Sequence, residues 1–186
     1  MSPEPNSQNS FGDPEALVKI GLSFEQDKKP DKAKEYFQSA LIFRPKNANI
    51  WFHLGRANSN LGNHAEAIKC YQKVLDLDSH NAAALCDLGF CFGQTGNHKQ
   101  ACKAFERLVG LQANNADAWV GLGTAQYSTG KIKQAKDSLE KACQINPENA
   151  LAWYNLGLVY SNLSYPAESK RCYDEYERLS KLQGST

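Results

Sequence analysis

The chain has almost no net charge. Its 21 Lys and Arg stand against 20 Asp and Glu, a formal +1 over 186 residues. No global field draws it to nucleic acid or to an acidic membrane. Long apolar runs are missing as well. No uncharged stretch approaches the roughly 18 residues that span a bilayer, so membrane insertion is not expected. The opening residues MSPEPNSQNSFGD lack the basic and apolar regions of a secretory signal. Their composition predicts a disordered lead-in over residues 1–13 and a cytoplasmic chain.

Chemical motifs are equally scarce. The six cysteines are Cys70, Cys86, Cys91, Cys102, Cys143 and Cys172, and none forms a C-x-x-C pair. They are expected to be small buried hydrophobes in a reducing compartment. There is no Gly-rich phosphate loop and no nucleophile motif. His53, His64, His80 and His98 have no Glu or Cys partner at metal-ligand spacing. His64, His80 and His98 read as solvated joint and turn residues. No metal, no cofactor and no enzymatic activity is expected.

What the sequence does contain is a period. Gly21, Gly55, Gly89, Gly123 and Gly157 recur every 34 residues, each preceded by Ile or Leu. Self-similarity at a fixed interval marks a solenoid, whose units bury their apolar faces against their neighbours. With repeats starting at Pro14, Ala48, Ala82, Ala116 and Ala150, positions 4, 7, 8 and 11 share one face of a helix. Positions 20, 24 and 27 share one face of a second helix. Gly62-Asn63, Gly96-Asn97 and Gly130-Lys131 lie between them as turn signals. Gly at position 8 and Ala at position 20 allow close approach, and large Trp, Phe and Tyr side chains fill the remaining space. Asp13-Pro14 is a helix start, and Pro45 and Pro147 stand where second helices must stop. The expected architecture is all-α, five helix-turn-helix repeats over 14–47, 48–81, 82–115, 116–149 and 150–183, with a tail at 184–186.

This pattern resembles the tetratricopeptide-repeat family. The residues that carry the resemblance are Trp51, Leu54, Gly55, Ala67 and Tyr71, then Trp119, Leu122, Gly123, Ala135 and Pro147, then Trp153, Leu156, Gly157 and Tyr160. The resemblance implies a right-handed superhelical solenoid whose first helices line a concave face. It implies that positions 2, 5, 6, 9, 12 and 13 of each repeat line that face and meet a partner. On this chain those positions supply Phe52, His53, Arg56, Asn60, Cys86, Phe90, Val120, Tyr127, Tyr154, Asn155 and Leu158 as the candidate groove. The result is a mildly apolar trough with amide rims and few charges. Aromatics outside the core are typical peptide anchors, and half-buried packing between neighbouring first helices is the plain alternative. A subgroup of the family binds acidic chaperone tails through a carboxylate clamp. Phe52, Arg56, Asp87, Asp117 and Gly121 do not supply it.

The fifth repeat departs from the others, with Ser169, Tyr176 and Glu177 where small or apolar residues are usual. Terminal repeats need a polar outer face, so the stack is expected to end there. Leu179 and Leu182 leave some apolar surface, consistent with a frayed terminus or with a weak homodimer contact. The expected function is a protein-interaction scaffold that holds a peptide or helical segment of a partner protein. The alternative is an assembly factor that acts, chaperone-like, by self-association or by nucleating a complex.

Overall fold

The computed structural model describes residues 13–183, and every regular element among them is an α-helix. Residues 1–12 of the expected lead-in, and the tail 184–186, lie outside the described residues. In chain order the helices are α1 (Pro14–Gln26), α2 (Pro30–Phe43), α3 (Ala48–Asn60), α4 (His64–Leu77), α5 (Ala82–Gln94), α6 (His98–Leu111), α7 (Ala116–Ser128), α8 (Ile132–Ile145), α9 (Ala150–Asn162) and α10 (Pro166–Gln183). The expectation of repeated helix, turn, helix holds.

Local chemistry explains where the helices begin. Each first helix is opened by the side chain just before it. Asp13 accepts from the Glu15 amide, Asn47 from Asn49 and Ile50, Asn81 from Ala84, Asn115 from Ala118 and Asn149 from Ala152. Such caps satisfy amides that have no partner inside the helix. The turn between the paired helices needs a left-handed residue. Gly62, Gly96 and Gly130 supply it at φ of 76°, 74° and 78°, but the equivalent residues of the first and last repeats are Lys28 (56°) and Ser164 (63°). Side chains beyond glycine fit this conformation at a steric cost.

The chain divides into two compact units, Met1–Cys91 and Phe92–Thr186. In the first, Leu17, Ala33, Phe37, Ile50 and Leu54 form the centre of the core, with Trp51 and Phe24 packed on it. In the second the centre is Ala135, Leu139, Ala142, Leu156 and Val159, with Trp119, Trp153 and Tyr160 against it. A tryptophan ties each of three repeats to the loop before it. Trp51 donates its indole N–H to Pro45 O, Trp119 to Ala113 O and Trp153 to Pro147 O, all at 2.8 Å.

Buried polar residues interrupt the apolar core of the repeats. Asn58 and Gln126 occupy a core-facing position and are buried, and each makes a side-chain hydrogen bond there, although Asn58 Oδ1 is buried without a partner. Asn58 donates to Leu54 O at 2.9 Å, and Gln126 accepts the Ser138 hydroxyl at 2.7 Å. Ser169 stands where the other repeats have alanine, and it donates to Gly157 O at 3.0 Å. Burying a polar group without such a partner would cost stability. The six cysteines are all free thiols, five buried and Cys86 half-buried. Burial, with Cys172 beside it, pushes the Cys143 thiol up to about 12, which suits packing rather than nucleophilic chemistry.

Candidate partner-binding surfaces

The first unit holds six of the candidate groove residues: Phe52, His53, Arg56, Asn60, Cys86 and Phe90. Helix α3 positions the first four. Helical spacing puts Phe52, His53 and Arg56 on neighbouring parts of one face. The structure shows that this face is already organised by partners from adjacent helices. His53 Nδ1 lies 2.8 Å from Glu25 Oε2, and Arg56 Nε lies 3.3 Å from Glu25 Oε1. The His53 ring stacks on Phe37 with centroids 5.4 Å apart. Phe52 meets His53 edge-on at 5.7 Å, contacts Tyr71 at 5.9 Å and lies 5.9 Å from the Arg56 guanidinium.

Electrostatics sharpen this picture. Burial alone would raise the Glu25 carboxyl, yet the His53 hydrogen bond and the charges of His53 and Arg56 outweigh it and hold the group below its usual range. Asp87 behaves in the opposite way. Burial raises it, and the hydrogen bond from the Tyr71 hydroxyl and the nearby Arg56 offset only part of that. In this unit the surface therefore carries more charge than a mildly apolar trough would. It is an acid, base and aromatic network in which Glu25 and Asp87 take part. Glu25 stands at position 12 of the first repeat, a groove-lining position, but is not among the candidate residues. The signal that could have found it is its spacing of 28 and 31 residues to His53 and Arg56, which sets an acid against two bases on successive first helices.

Phe90 is the open aromatic among these candidate residues, 52% exposed on α5. Its ring meets His64 edge-on at 6.1 Å. His64 is thus not a solvated turn residue. It is the first residue of α4, half-buried, and its Nδ1 is buried with no hydrogen-bond partner. Asn60 is exposed at the end of α3, and Cys86 is half-buried.

The second unit holds Val120, Tyr127, Tyr154, Asn155 and Leu158. Val120 is buried in the core of the unit and offers little surface, because β-branched Val120 packs inward from α7. Tyr127 is half-buried against the same core. Tyr154 is the open residue, 38% exposed, with Tyr173 at 6.0 Å and Tyr176 at 5.2 Å. Asn155 and Leu158 are half-buried beside it on α9. Tyr176, one of the departures of the fifth repeat, is half-buried beside Tyr154.

Among the described residues no group of three or more His, Cys, Asp and Glu is placed to hold a metal ion. No helix among them is long and apolar enough to cross a membrane.

The repeat geometry has known counterparts. A tetratricopeptide-repeat family model, the cilia and flagella-associated protein 70 C-terminal domain, matches residues 46–181. A second tetratricopeptide-repeat model matches residues 15–46. The chain belongs to this tetratricopeptide-repeat family. No curated protein matches it. Among solved structures it is similar to MamA, with a TM-score of 0.84 at 24% identity, covering 90% of this chain and 98% of that one. It is also similar to MamA 41-end from Desulfovibrio magneticus RS-1, at TM-score 0.88 and 20% identity, covering 93% and 98%. YrrB, described as a TPR protein with an unusual peptide-binding site, matches at TM-score 0.79 and 18% identity, covering 90% and 87%. At such identities the likeness is one of fold, an all-α solenoid of tetratricopeptide repeats.

Proposed function

We propose that the chain is a cytoplasmic protein-interaction scaffold, not an enzyme, and that it captures a segment of another protein on its first-helix faces. The observation that carries this reading is an exposed aromatic on a first helix of each unit, Phe90 on α5 in one and Tyr154 on α9 in the other. Neither fills the core, and water-exposed aromatics of this size are typical binding anchors. The ion-paired network around Glu25, His53 and Arg56 supports the same reading, since side chains already held by partners lose less entropy on binding. The description of YrrB as having a peptide-binding site accords with it. With balanced charge, nucleic acid is not the proposed partner.

A second reading has its own observation. Leu182 is 57% exposed on α10 and Tyr165 is 50% exposed just before it. Those residues suit weak self-association through the last repeat, as an assembly factor would need.

The test uses Phe90→Ala and Tyr154→Ala, because both positions are open and their loss leaves the core intact. Phe52→Ala would be ambiguous, since Phe52 is half-buried and touches His53, Tyr71 and Arg56. Partner capture from native lysate should fall for one or both variants while helicity and molar mass by light scattering stay unchanged. Capture unaffected by both variants refutes the anchors. A drop in molar mass with Leu182→Ser, with capture unchanged by the anchor variants, supports self-association instead.

A further inference from the structure

A cavity of about 530 Å³ opens between α8, α9 and α10, on residues that the first-helix faces do not use. Its walls include Trp153 and Tyr160 from α9 and Cys143 and Cys172 from the second helices. Two carboxylates, Glu140 and Glu168, stand on it, and Arg171 is its one basic lining residue. Two of these side chains are fixed in place. The Trp153 indole is held by its hydrogen bond to Pro147 O. The Tyr160 hydroxyl donates to Glu140 Oε1 at 2.5 Å.

The carboxylates are poorly neutralised from within the chain. Lys136 reaches Glu140 Oε2 only at 3.9 Å. Neither Glu168 nor Arg171 forms an ion pair within 4.0 Å among the described residues. Burial, then the Glu140 hydrogen bond and the charges of Glu140 and Glu168, keep the Tyr160 phenol protonated through the physiological range. It therefore remains a donor to Glu140 and orients that carboxylate without neutralising it.

We infer that this cavity is a binding site for an arginine side chain presented by a partner protein. Flat aromatic surfaces attract a guanidinium through the ring quadrupole. Carboxylates accept its paired N–H donors, and its planar, weakly hydrated shape suits a partly apolar cavity better than an ammonium does. The site is particular to this junction. One repeat earlier, the position of Tyr160 is held by Gln126, whose side-chain oxygen is occupied by Ser138.

The test is a titration of the full chain, labelled with nitrogen-15, with N-acetyl-arginine amide. The chain has three tryptophans, so its indole N–H signals are assigned with Trp→Phe variants at 51, 119 and 153. The expected result is saturable movement of the Trp153 signal, with those of Trp51 and Trp119 still. Binding should weaken about tenfold in Glu140→Gln, a loss typical of a charge-assisted contact. The glutamine carbonyl can still accept the Tyr160 proton, so the fold is kept, and Glu168→Gln provides a second variant away from that bond. N-acetyl-citrulline amide, a neutral molecule of the same shape, should leave the signal unmoved. Equal response to citrulline, joint movement of all three indoles, or unchanged affinity in both glutamine variants would overturn the proposal. It can fail without touching the Phe90 and Tyr154 surfaces, and those can fail without touching it.

Discussion

Replacing Gly55 by alanine adds one methyl group to α3, and the structure says where it goes. An ideal Cβ would lie 2.6 Å from Tyr71 Cε1, 2.9 Å from Cδ1 and 3.0 Å from Cζ. Carbon atoms in contact prefer about 3.5–4.0 Å, so the overlap is close to 1 Å. The ring has little room to retreat. Tyr71 is 1% exposed, and its hydroxyl is engaged by Asp87. Overpacking of this kind costs about 1–3 kcal/mol. Removing glycine from a helix interior contributes about 1 kcal/mol in the other direction. Because the ring cannot retreat, the overpacking cost falls in the upper part of that range, and the net expectation is a loss of about 1–2 kcal/mol, or about 2–8 °C in Tm for a chain of this size. Gly110 in α6 is the control. A Cβ there meets nothing within 4 Å, so Gly110→Ala should stabilise by about 0.5 kcal/mol. Circular dichroism melts and urea titrations read both. A double variant with Tyr71→Ala should cost less than the sum of the singles, because the clash disappears with the ring. If Gly55→Ala is as stable as the parent, close approach of the paired helices is not what the repeating glycine is for.

Other consequences follow from caps, turns and buried acids. Ser164→Gly relieves a left-handed serine at φ 63° and should raise the urea midpoint by about 0.5–1 kcal/mol equivalent. Asn115→Ala removes the cap on the Ala118 amide and should cost about 1 kcal/mol by the same measurement. Asp87 has a folded pKa raised above its ordinary 3.8, chiefly by burial, so its contribution declines as pH rises from 3.8 through the folded value. Asp87→Asn still accepts the Tyr71 hydroxyl and should be at least as stable as the parent at pH 7. Glu25 has the opposite sign. Its folded pKa lies below 4.5, because His53 and Arg56 outweigh burial. Its contribution is complete above pH 4.5 and is lost as pH falls through the folded value. Acid titration of Glu25→Gln against the parent should show that component missing, and identical acid profiles would refute it.

How much of this was legible in the sequence depended on whether the signal was periodic. The paired helices followed from glycine, alanine and aromatic residues at fixed places in a 34-residue interval, because every repeat solves the same packing problem. The Asn caps at 47, 81, 115 and 149 follow the same interval and could have been read with it. Lys28 and Ser164 were hidden, because their left-handed backbone is imposed by the helices on either side and not by their own preference. The candidate surface was half legible. Phe90 and Tyr154 are open, as position within the repeat suggested. Val120 is buried and Phe52 and Tyr127 are half-buried, since the bulk of neighbouring side chains, not repeat position, sets exposure.

By itself, then, the sequence determined the repeat, the all-α fold and the family, because backbone geometry and core packing impose a local code that recurs along the chain. Only the tertiary structure decided which first-helix residues face water, that Glu25 joins His53 and Arg56, and that Tyr160 aims Glu140 into a cavity. Those outcomes depend on side chains about 20 to 31 residues apart meeting across helices, and their charges and hydrogen bonds depend on burial that no single repeat specifies.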